Sequence, residues 1–408
     1  MASILFWIIV GLVIFDFLFS KTLSLLNLKR MTPDLPVELK GIYDAEKYKR
    51  SLEYSKINIK FSFISDLFSL IVFLLWLFAG GFGWLDGWVR HITENEYLRT
   101  LLFFGSLGFA MDIISIPFQW YDTFVIEEKF GFNKTSVKTF VWDKIKGWLI
   151  AMVLGGGILL FIQWAYNQTG DYFVWIVWGG LSVFMIFMAM FYTHLIVPLF
   201  NKLKPLEDGE LKHAIQEFAK KAGFKLDDIY VIDGSKRSTK ANAYFSGLGP
   251  KKRIVLYDTL INDLSTEEIV AVLAHEIGHY KHKHIIKGLI MSLLQTAIMI
   301  FLLKFALSTP DFSYALGAEE PSFYMSLLAF TLLFSPVSFV IGIITNIFSR
   351  KFEYQADAFA KKYFSGKYLA DALIKLSVKS LSNLRPHPFY VFFNYSHPTL
   401  LQRLKKLK

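Results

Sequence analysis

Two histidines and a glutamate stand in one helix-forming run of the chain, Ala271-Val-Leu-Ala-His275-Glu276-Ile-Gly-His279. Residues four apart share one face of an α-helix, so His275 and His279 can bind one metal ion while Glu276 turns toward a water molecule beside it. This spacing is typical of zinc peptidases, in which the glutamate is the general base. The same pattern also arises by chance in ordinary helices, so other residues must decide between the two interpretations.

The residues before this motif predict where its helix begins. Ser265-Thr266-Glu267-Glu268 is a capping-box sequence, in which Ser265 caps the chain end and Glu268 reaches back to it. The residues that follow form a broad apolar face: Ile269, Val270, Val272, Leu273 and Ile277. We therefore expect the two histidines to be buried, where they need polar partners.

A catalytic zinc ion takes three protein ligands and keeps one open position, so a further ligand must lie elsewhere in the chain. Glu353 is the best candidate, and Asp357, one helical turn later on the same face, could accept the outer N–H of a ligand histidine. The alternative is an exposed acidic face balanced by neighbouring lysines and arginines. The chain contains no cysteine, so a zinc site here must use nitrogen and oxygen ligands, and we expect one zinc ion per chain.

His282 is a rival ligand that helix geometry disfavours. It lies a full two turns after His275, which is roughly 10 Å along a helix axis and too far for both side chains to contact one ion. We interpret His282, together with His284, as part of a solvated basic turn.

The composition predicts a polytopic membrane protein. Of the 408 residues 54% are hydrophobic, and a mean hydropathy of +0.40 is too high for a soluble enzyme of this length. The stretches long enough to span a bilayer are residues 3–20, 61–85, 100–120, 147–166, 172–200, 286–308 and 323–348. The first has no basic leader and no cleavage site of small residues, so we expect a retained helix rather than a signal peptide.

The distribution of Lys and Arg predicts the orientation of these spans. Residues 21–60, 121–146, 201–284 and 349–408 carry 9, 5, 14 and 12 of the 44 basic residues, whereas the alternate loops carry only Arg90 and Arg99. The positive-inside rule then puts the N terminus outside or in the lumen and the C terminus in the cytosol. We expect the endoplasmic reticulum membrane in a eukaryote and the inner membrane in a bacterium. Anionic lipid next to the spans explains the net charge of +10 better than nucleic acid, which we do not expect as a partner.

The one sizeable polar region, residues 201–284, contains elements that could hold a substrate. It begins with an amphipathic helix around residues 210–222, followed by β-like runs at 229–232 and 253–257. An edge strand can bind an extended peptide by backbone hydrogen bonds across a metal, and we expect that edge at Asn242-Ala243-Tyr244-Phe245. The alternative is that these residues form only a hairpin tip.

Several polar residues fall within the predicted spans: Asp66, Asp112, Gln119, Gln163 and Gln295. Such groups are costly in contact with lipid and usually line a protein interior or a wet cavity. They favour a hydrated chamber between the spans, although each one alone could merely hydrogen-bond a neighbouring helix.

Further motifs occur in a fixed order along the chain: Ser235-Lys-Arg-Ser, Asn242-Ala-Tyr-Phe, Arg253-Ile-Val-Leu-Tyr-Asp258, Leu273-Ala-His275-Glu-Ile-Gly-His279, Glu353-Tyr-Gln-Ala-Asp357 and Ser396-His397-Pro398-Thr-Leu-Leu-Gln-Arg403. In these motifs the chain resembles the type I CAAX prenyl endopeptidases, integral-membrane zinc proteases with seven spans. The resemblance implies a mainly α fold, in which seven transmembrane helices enclose a water-filled chamber. A cytosolic, gluzincin-like zinc peptidase domain with a small β-sheet would cap that chamber.

The resemblance also implies roles for individual residues. Zinc would be bound by His275, His279 and Glu353, with Glu276 as the general base. The substrate backbone and the oxyanion would be held by Asn242 and His397, and the ligands would be supported by Asp357 and Arg403.

We expect four parts of the chain: transmembrane helices in residues 1–200, a zinc-peptidase region in 201–285, two further spans in 286–348 and a cytosolic region with the third ligand in 349–408. The implied activity is removal of the C-terminal tripeptide of prenylated CAAX proteins, with prenylated or hydrophobic C-terminal peptides as substrates and the lipid bilayer as surroundings. The alternative is a quality-control zinc protease of a prokaryote with no prenylated substrate, because the chain looks compact beside eukaryotic members. The intact ligand set argues against a non-catalytic receptor.

Overall fold

The computed structural model describes residues 1–224, 226, 228–246 and 253–407, and most of them are helical. The helices that precede the sheet are α1 (Ala2–Lys29), α2 (Ala45–Phe78), α3 (Gly81–Ile92), α4 (Glu96–Tyr121), α5 (Val137–Ile150), α6 (Gly156–Thr169), α7 (Phe173–Leu195) and α8 (Val197–Phe200). The later helices are α9 (Glu210–Lys221), α10 (Asp258–Asp263), α11 (Thr266–Lys281), α12 (His284–Leu307), α13 (Asp311–Tyr314), α14 (Phe323–Leu333), α15 (Ser335–Ala360), α16 (Gly366–Lys379), α17 (Pro388–Asn394) and α18 (Leu400–Leu407). The strands are β1 (Leu203–Pro205), β2 (Asp228–Ile232), β3 (Ala243–Ser246) and β4 (Arg253–Tyr257).

The predicted polytopic membrane architecture is confirmed. Within the described residues, five helical stretches are long and apolar enough to cross a membrane, and a bent pair of helices makes a sixth. The five are Ala2–Lys29, Ala45–Phe78, Glu96–Glu127, Val137–Phe200 and His284–Leu307. The bent pair combines α14 with the helix that follows it.

The second span ends earlier than the sequence predicts. A span is predicted over residues 61–85, but α2 ends at Phe78 and α3 begins at Gly81. Gly80 lies between them with a φ of 69°, a left-handed conformation that favours glycine and ends a helix. The predicted end at residue 85 is therefore wrong, and α3 is a separate short helix.

The last apolar stretch, predicted as one span over residues 323–348, is bent and continues further. α14 and α15 differ in direction by 50°. Pro336 lies in the first turn of α15, where its missing N–H is tolerated, whereas inside a straight helix continued from α14 it would remove one hydrogen bond and clash with the preceding turn. Beyond residue 348, α15 runs on as one helix through Glu353 and Asp357, so the end of the last span and the candidate ligand share one element.

The strands form one small mixed sheet in the order β1-β2-β4-β3. β2 and β4 are parallel, and the other neighbours are antiparallel. Among the described residues β3 pairs only with β4, with Tyr244 opposite Val255, so residues 243–245 lie on an edge of the sheet. Strands are also present at the two predicted β-like runs.

The apolar residues form two large cores. One holds the sheet against α9 and α11, and its fully buried members include Ile215, Ile254, Leu256, Leu273 and Ile277. The other lies where membrane helices meet α3 and α14, and it includes Val89, Phe103, Phe173, Ile300 and Tyr324. The first core fixes the helix that carries the histidine motif.

Candidate active site

Two local features position α11: a capping box at its N-terminus and a glycine where it contacts α15. Ser265 Oγ accepts the N–H of Glu268 at 3.3 Å, and Glu268 Oε2 accepts the N–H of Ser265 at 2.8 Å, so the predicted capping box is confirmed. Gly278 faces α15, where an added Cβ would come within 3.0 Å of the Cα of Ala356. The missing side chain lets α11 and α15 approach closely enough for their polar groups to meet.

Side chains of His275, His279 and Glu353 converge on one point. The two Nε2 atoms are 3.1 Å apart, and the Glu353 oxygens lie 3.4 Å from His275 Nε2 and 3.2 Å from His279 Nε2. Ligand atoms at about 2.0–2.1 Å from a tetrahedral zinc ion are about 3.3–3.4 Å from one another. Glu353 Oε2 is buried and makes no hydrogen bond of normal geometry within the described part of the chain. These three groups therefore fit a metal ion with nitrogen and oxygen ligands.

The charges of this cluster favour a cation. Burial opposes a charge on His275, but the carboxylates of Asp357 and Glu353 outweigh it and raise the pKa of His275 to about 9. Burial also raises the pKa of Glu276, while the two histidines of the motif act in the opposite direction. At neutral pH these carboxylates hold a proton on His275 in addition to the charged Arg403, and a divalent ion bound at His275 would replace that proton.

Behind His275 lies a buried ion pair. His275 Nδ1 is 2.9 Å from Asp357 Oδ1, and Arg403 binds the same carboxylate through Nε at 2.9 Å and Nη2 at 2.6 Å. Asp357 is only 1% exposed. Burial disfavours the charge of Arg403, but its hydrogen bonds to Asp357 outweigh burial and raise the pKa of Arg403. Because Nδ1–H of His275 donates to Asp357, its Nε2 is free to bind an ion.

Behind His279 lies a group that the sequence analysis missed. His279 Nδ1 is 3.0 Å from Nδ1 of His284, and Nε2 of His284 is 2.8 Å from Gln355 Oε1. His284 is 5% exposed and stacks on Phe352, so the interpretation of this residue as part of a solvated turn is wrong. Lys283, with a φ of 57°, interrupts the helical backbone, and α12 begins at His284. The signal available in the sequence is the apolar run directly after His284, which marks the start of a helix.

A cavity of about 460 Å³ opens beside the cluster, and its lining includes Glu276, Asn242 and His397. His397 is 62% exposed, and its Nε2 lies 3.3 Å from Glu353 Oε1. Asn242 Oδ1 accepts the N–H of Ala243 at 2.9 Å, which fixes the side chain just before the edge strand. The structure thus brings Asn242 and His397, which are 155 residues apart in the sequence, to the same space beside the candidate ligands.

The edge strand contributes two of its three predicted residues to this cavity. Ala243 and Phe245 line it. Tyr244 alternates to the opposite side, as the period of a strand requires. Its ring centroid lies 6.4 Å from that of Tyr257, and its hydroxyl bonds Thr193 of α7.

Comparisons with known proteins add independent information. Residues 24–202 match the CAAX prenyl protease N-terminal region with five membrane helices, and residues 205–408 match peptidase family M48. The chain is 36% identical to CAAX prenyl protease 1 of Saccharomyces cerevisiae, over 98% of this chain and 94% of the relative. It is 33% identical to the CAAX prenyl protease 1 homolog of Homo sapiens, over 93% and 90%. The crystal structure of S. mikatae Ste24p superposes with a TM-score of 0.93 at 37% identity, covering 99% of both chains.

Proposed function

Because the chain belongs to the CAAX prenyl protease 1 family of peptidase family M48, we propose that it is a membrane zinc endopeptidase. It removes the C-terminal tripeptide of prenylated CAAX proteins. The observation that carries the proposal is the convergence of His275, His279 and Glu353 at ligand distances, with Glu276 beside them in a cavity that also contains an edge strand.

Zinc is the metal that the donor set suits best, since two imidazoles and one carboxylate leave a fourth position open. When bound, zinc supplies Lewis acidity, which polarises the scissile carbonyl and lowers the pKa of water to about 7. One ion per chain is expected, because one group of three such side chains meets the distance requirement in the described ranges.

Glu276 moves the proton in this reaction. Its carboxylate takes a proton from the attacking water and then gives it to the leaving amine, a role for which its raised pKa is suited. Asn242 and His397 border the same cavity and donate hydrogen bonds to the oxyanion as it develops. Asp357 and Arg403 keep His275 in the tautomer that binds metal.

The substrate pairs with β3 as an extended strand. Backbone hydrogen bonds along Ala243, Tyr244 and Phe245 give affinity without reading the sequence of the peptide. Selectivity then comes from the apolar surroundings of the site and from the length of chain that can reach it. A flexible, lipid-bearing C-terminal tail meets both requirements, whereas a folded protein does not.

Seven spans follow if the bent pair α14–α15 counts as one and Val137–Phe200 counts as two. Gly170, with a φ of 51°, interrupts this long stretch, and Phe161 of α6 packs directly on Gly180 of α7, which favours two adjacent antiparallel helices. The N-terminal family region, with its five membrane helices, supports the same count.

The spans enclose a hydrated chamber. In the most apolar windows of α2, α4 and α12 only 6% of the residues are buried inside the protein, which is little for helices packed together as a solid bundle. Asp112 and Lys144 form a 2.7 Å ion pair in α4 and α5, with side chains 27% and 19% exposed. A partly exposed ion pair between two apolar stretches favours a wet interior, because such charges are costly in contact with lipid.

We propose the same four parts of the chain as the sequence predicts, with residues 201–285 and 349–408 on the cytosolic side. The N terminus lies outside or in the lumen, and the membrane is that of the endoplasmic reticulum in a eukaryote. Single cysteines can be introduced into each loop of this cysteine-free chain and exposed to an impermeant thiol reagent. Labelling of residues 201–246 from the lumenal side would overturn this orientation.

The substrate proposal is tested with a farnesylated CAAX peptide, which purified protein should cleave after the modified cysteine. The same peptide without the lipid is the matched control, and it should be cut more slowly. If the protein is instead a quality-control protease of a prokaryote, both peptides should be cleaved equally. The chain spans 94% of the yeast relative and 90% of the human one, so the compactness that motivated this alternative is slight.

A further inference from the structure

We infer that His284 is a positioning residue for His279: its Nδ1 accepts the Nδ1–H of His279 and holds the Nε2 of His279 unprotonated and directed at the ion. This inference deepens the proposed function, because it rests on the same ion site. It starts from the contact of 3.0 Å between the two Nδ1 atoms and from the contact of 2.8 Å between His284 Nε2 and Gln355 Oε1.

The protons of this chain of contacts can be assigned from one requirement. A histidine that binds metal through Nε2 carries its proton on Nδ1. His279 Nδ1–H must then donate, and His284 Nδ1 must accept. A neutral imidazole that accepts on Nδ1 carries its proton on Nε2. His284 Nε2–H therefore donates to Gln355 Oε1, and one carboxamide oxygen fixes the tautomers of two histidines.

The ring of His284 is held so that its acceptor cannot turn away. It stacks on Phe352 with a centroid distance of 4.2 Å and an interplanar angle of 12°. His282 stacks on it at 5.5 Å and 14°. His284 itself is 5% exposed, so water does not compete readily for its Nδ1. A group that only filled space would not need both nitrogens matched to polar partners.

The position of this contact links the ion site to the spans. His284 is the first residue of α12, and Gln355 and Phe352 belong to α15, so two helices that cross the membrane supply the groups behind His279. A shift of α12 relative to α11 would move the acceptor away from His279. The orientation of one metal ligand therefore depends on how these spans are packed.

The test compares zinc affinity in full-length variants in detergent, measured by competition with a chelating dye. His284→Phe keeps a flat ring on Phe352 but removes the acceptor, and we expect zinc affinity to fall about 10–100-fold, as for other groups that orient a metal ligand. His284→Asn places Oδ1 near the position of Nδ1 and should restore most of that affinity. Gln355→Met removes the far acceptor and should have an intermediate effect. The matched control is His213→Phe, an exposed histidine of α9 outside the lining of the cavity, which should bind zinc like the unaltered protein.

Two further readouts separate positioning from general damage. The melting temperature of the metal-free protein should stay close to that of the unaltered protein in His284→Phe although its zinc affinity falls, whereas a purely structural role would lower melting temperature and zinc affinity together. Cobalt substituted for zinc should give an altered visible spectrum in His284→Phe and a normal one in His284→Asn. Unchanged zinc affinity in His284→Phe, or an equal loss in His284→Asn, would overturn the inference while leaving the ion site intact. An unaltered protein that binds no zinc would overturn the ion site and this inference together.

Discussion

The two histidines of the motif lie one turn apart on α11, yet different chemistry stands behind each of them. Behind His275 is the carboxylate of Asp357, whose charge is matched by Arg403. Behind His279 are an imidazole and a carboxamide, those of His284 and Gln355. The first arrangement joins α11 to α15 and α18, and the second joins it to the start of α12 and, through Gln355, to α15.

Charge accounts for this difference. The cluster already contains three carboxylates near one guanidinium, and a further carboxylate behind His279 would be a buried negative charge without a partner, which is strongly unfavourable. A neutral acceptor fixes the tautomer of His279 without adding charge at the point where an apolar helix begins. The comparison teaches that one site can orient two identical ligands by different means when their surroundings differ.

The largest expected effect is on the rate of catalysis, and it does not depend on the groups behind His275 or His279. Glu276→Gln leaves the groups behind each histidine in place, so zinc should stay bound, while loss of the base should lower kcat by about 10²–10⁴-fold. Initial rates on a farnesylated peptide and zinc content by elemental analysis measure the two quantities. Normal turnover in this variant would remove Glu276 from its role as base, and His279→Ala, which should lose zinc, is the control.

A second prediction compares the two sides directly through stability. Asp357→Ala leaves the buried Arg403 with the longer 3.5 Å contact to Glu353 Oε2 as its ion pair, so the metal-free protein should lose about 3 kcal/mol of unfolding free energy. Gln355→Ala removes one neutral hydrogen bond and should cost about 1 kcal/mol. Thermal unfolding of both variants in detergent gives the ranking. Equal shifts in melting temperature for the two variants would contradict the distinction between a charged group behind His275 and neutral groups behind His279.

Asn242→Ala and His397→Ala test the two proposed oxyanion donors, which lie behind neither histidine of the motif. Each is expected to lower kcat about 10²-fold with little change in KM, because an oxyanion contact strengthens in the transition state. Zinc affinity should be unaffected in Asn242→Ala. It should change little in His397→Ala, because the side chain that contacts Glu353 Oε1 at 3.3 Å is largely exposed. A variant that lost substrate binding but kept its turnover number would rule out an oxyanion role for that residue.

The smallest expected effect is that of Arg403→Lys. Lysine keeps the positive charge beside Asp357 but cannot make two parallel hydrogen bonds to it, and the loss of one charged hydrogen bond should cost about 1.5 kcal/mol. Zinc binding should weaken only slightly, because the charge of Asp357 stays compensated. A drop in melting temperature as large as that of Asp357→Ala would mean that the two parallel hydrogen bonds of Arg403, rather than its charge, stabilise the carboxylate behind His275.

The parts of the site that could be predicted have local signals. The capping box, the spacing of the two histidines and the short apolar runs of β2 and β4 all lie within a few residues, and Glu353 and Asp357 form a one-turn pattern of their own. The contact between His284 and Gln355 joins residues 71 positions apart, and no local period reports it. In the membrane region, Gly80 marks the break between α2 and α3, and Pro336 marks the bend between α14 and α15. The length of an apolar stretch predicts a span but not where its helix breaks or bends.

The two edge strands of the small sheet, β1 and β3, differ in whether they can pair with another chain. β1 is three residues long and ends in Pro205, whose nitrogen cannot donate to another strand, so this edge resists the addition of a foreign chain. β3 is left open because the proposed substrate needs it, and an open edge is a template for aggregation. Here it lies against α11, where Phe245 packs on Tyr280, and beside Thr193 of α7. The helices packed beside β3 therefore leave less room for a second copy of the chain to add a strand and start an intermolecular β-sheet.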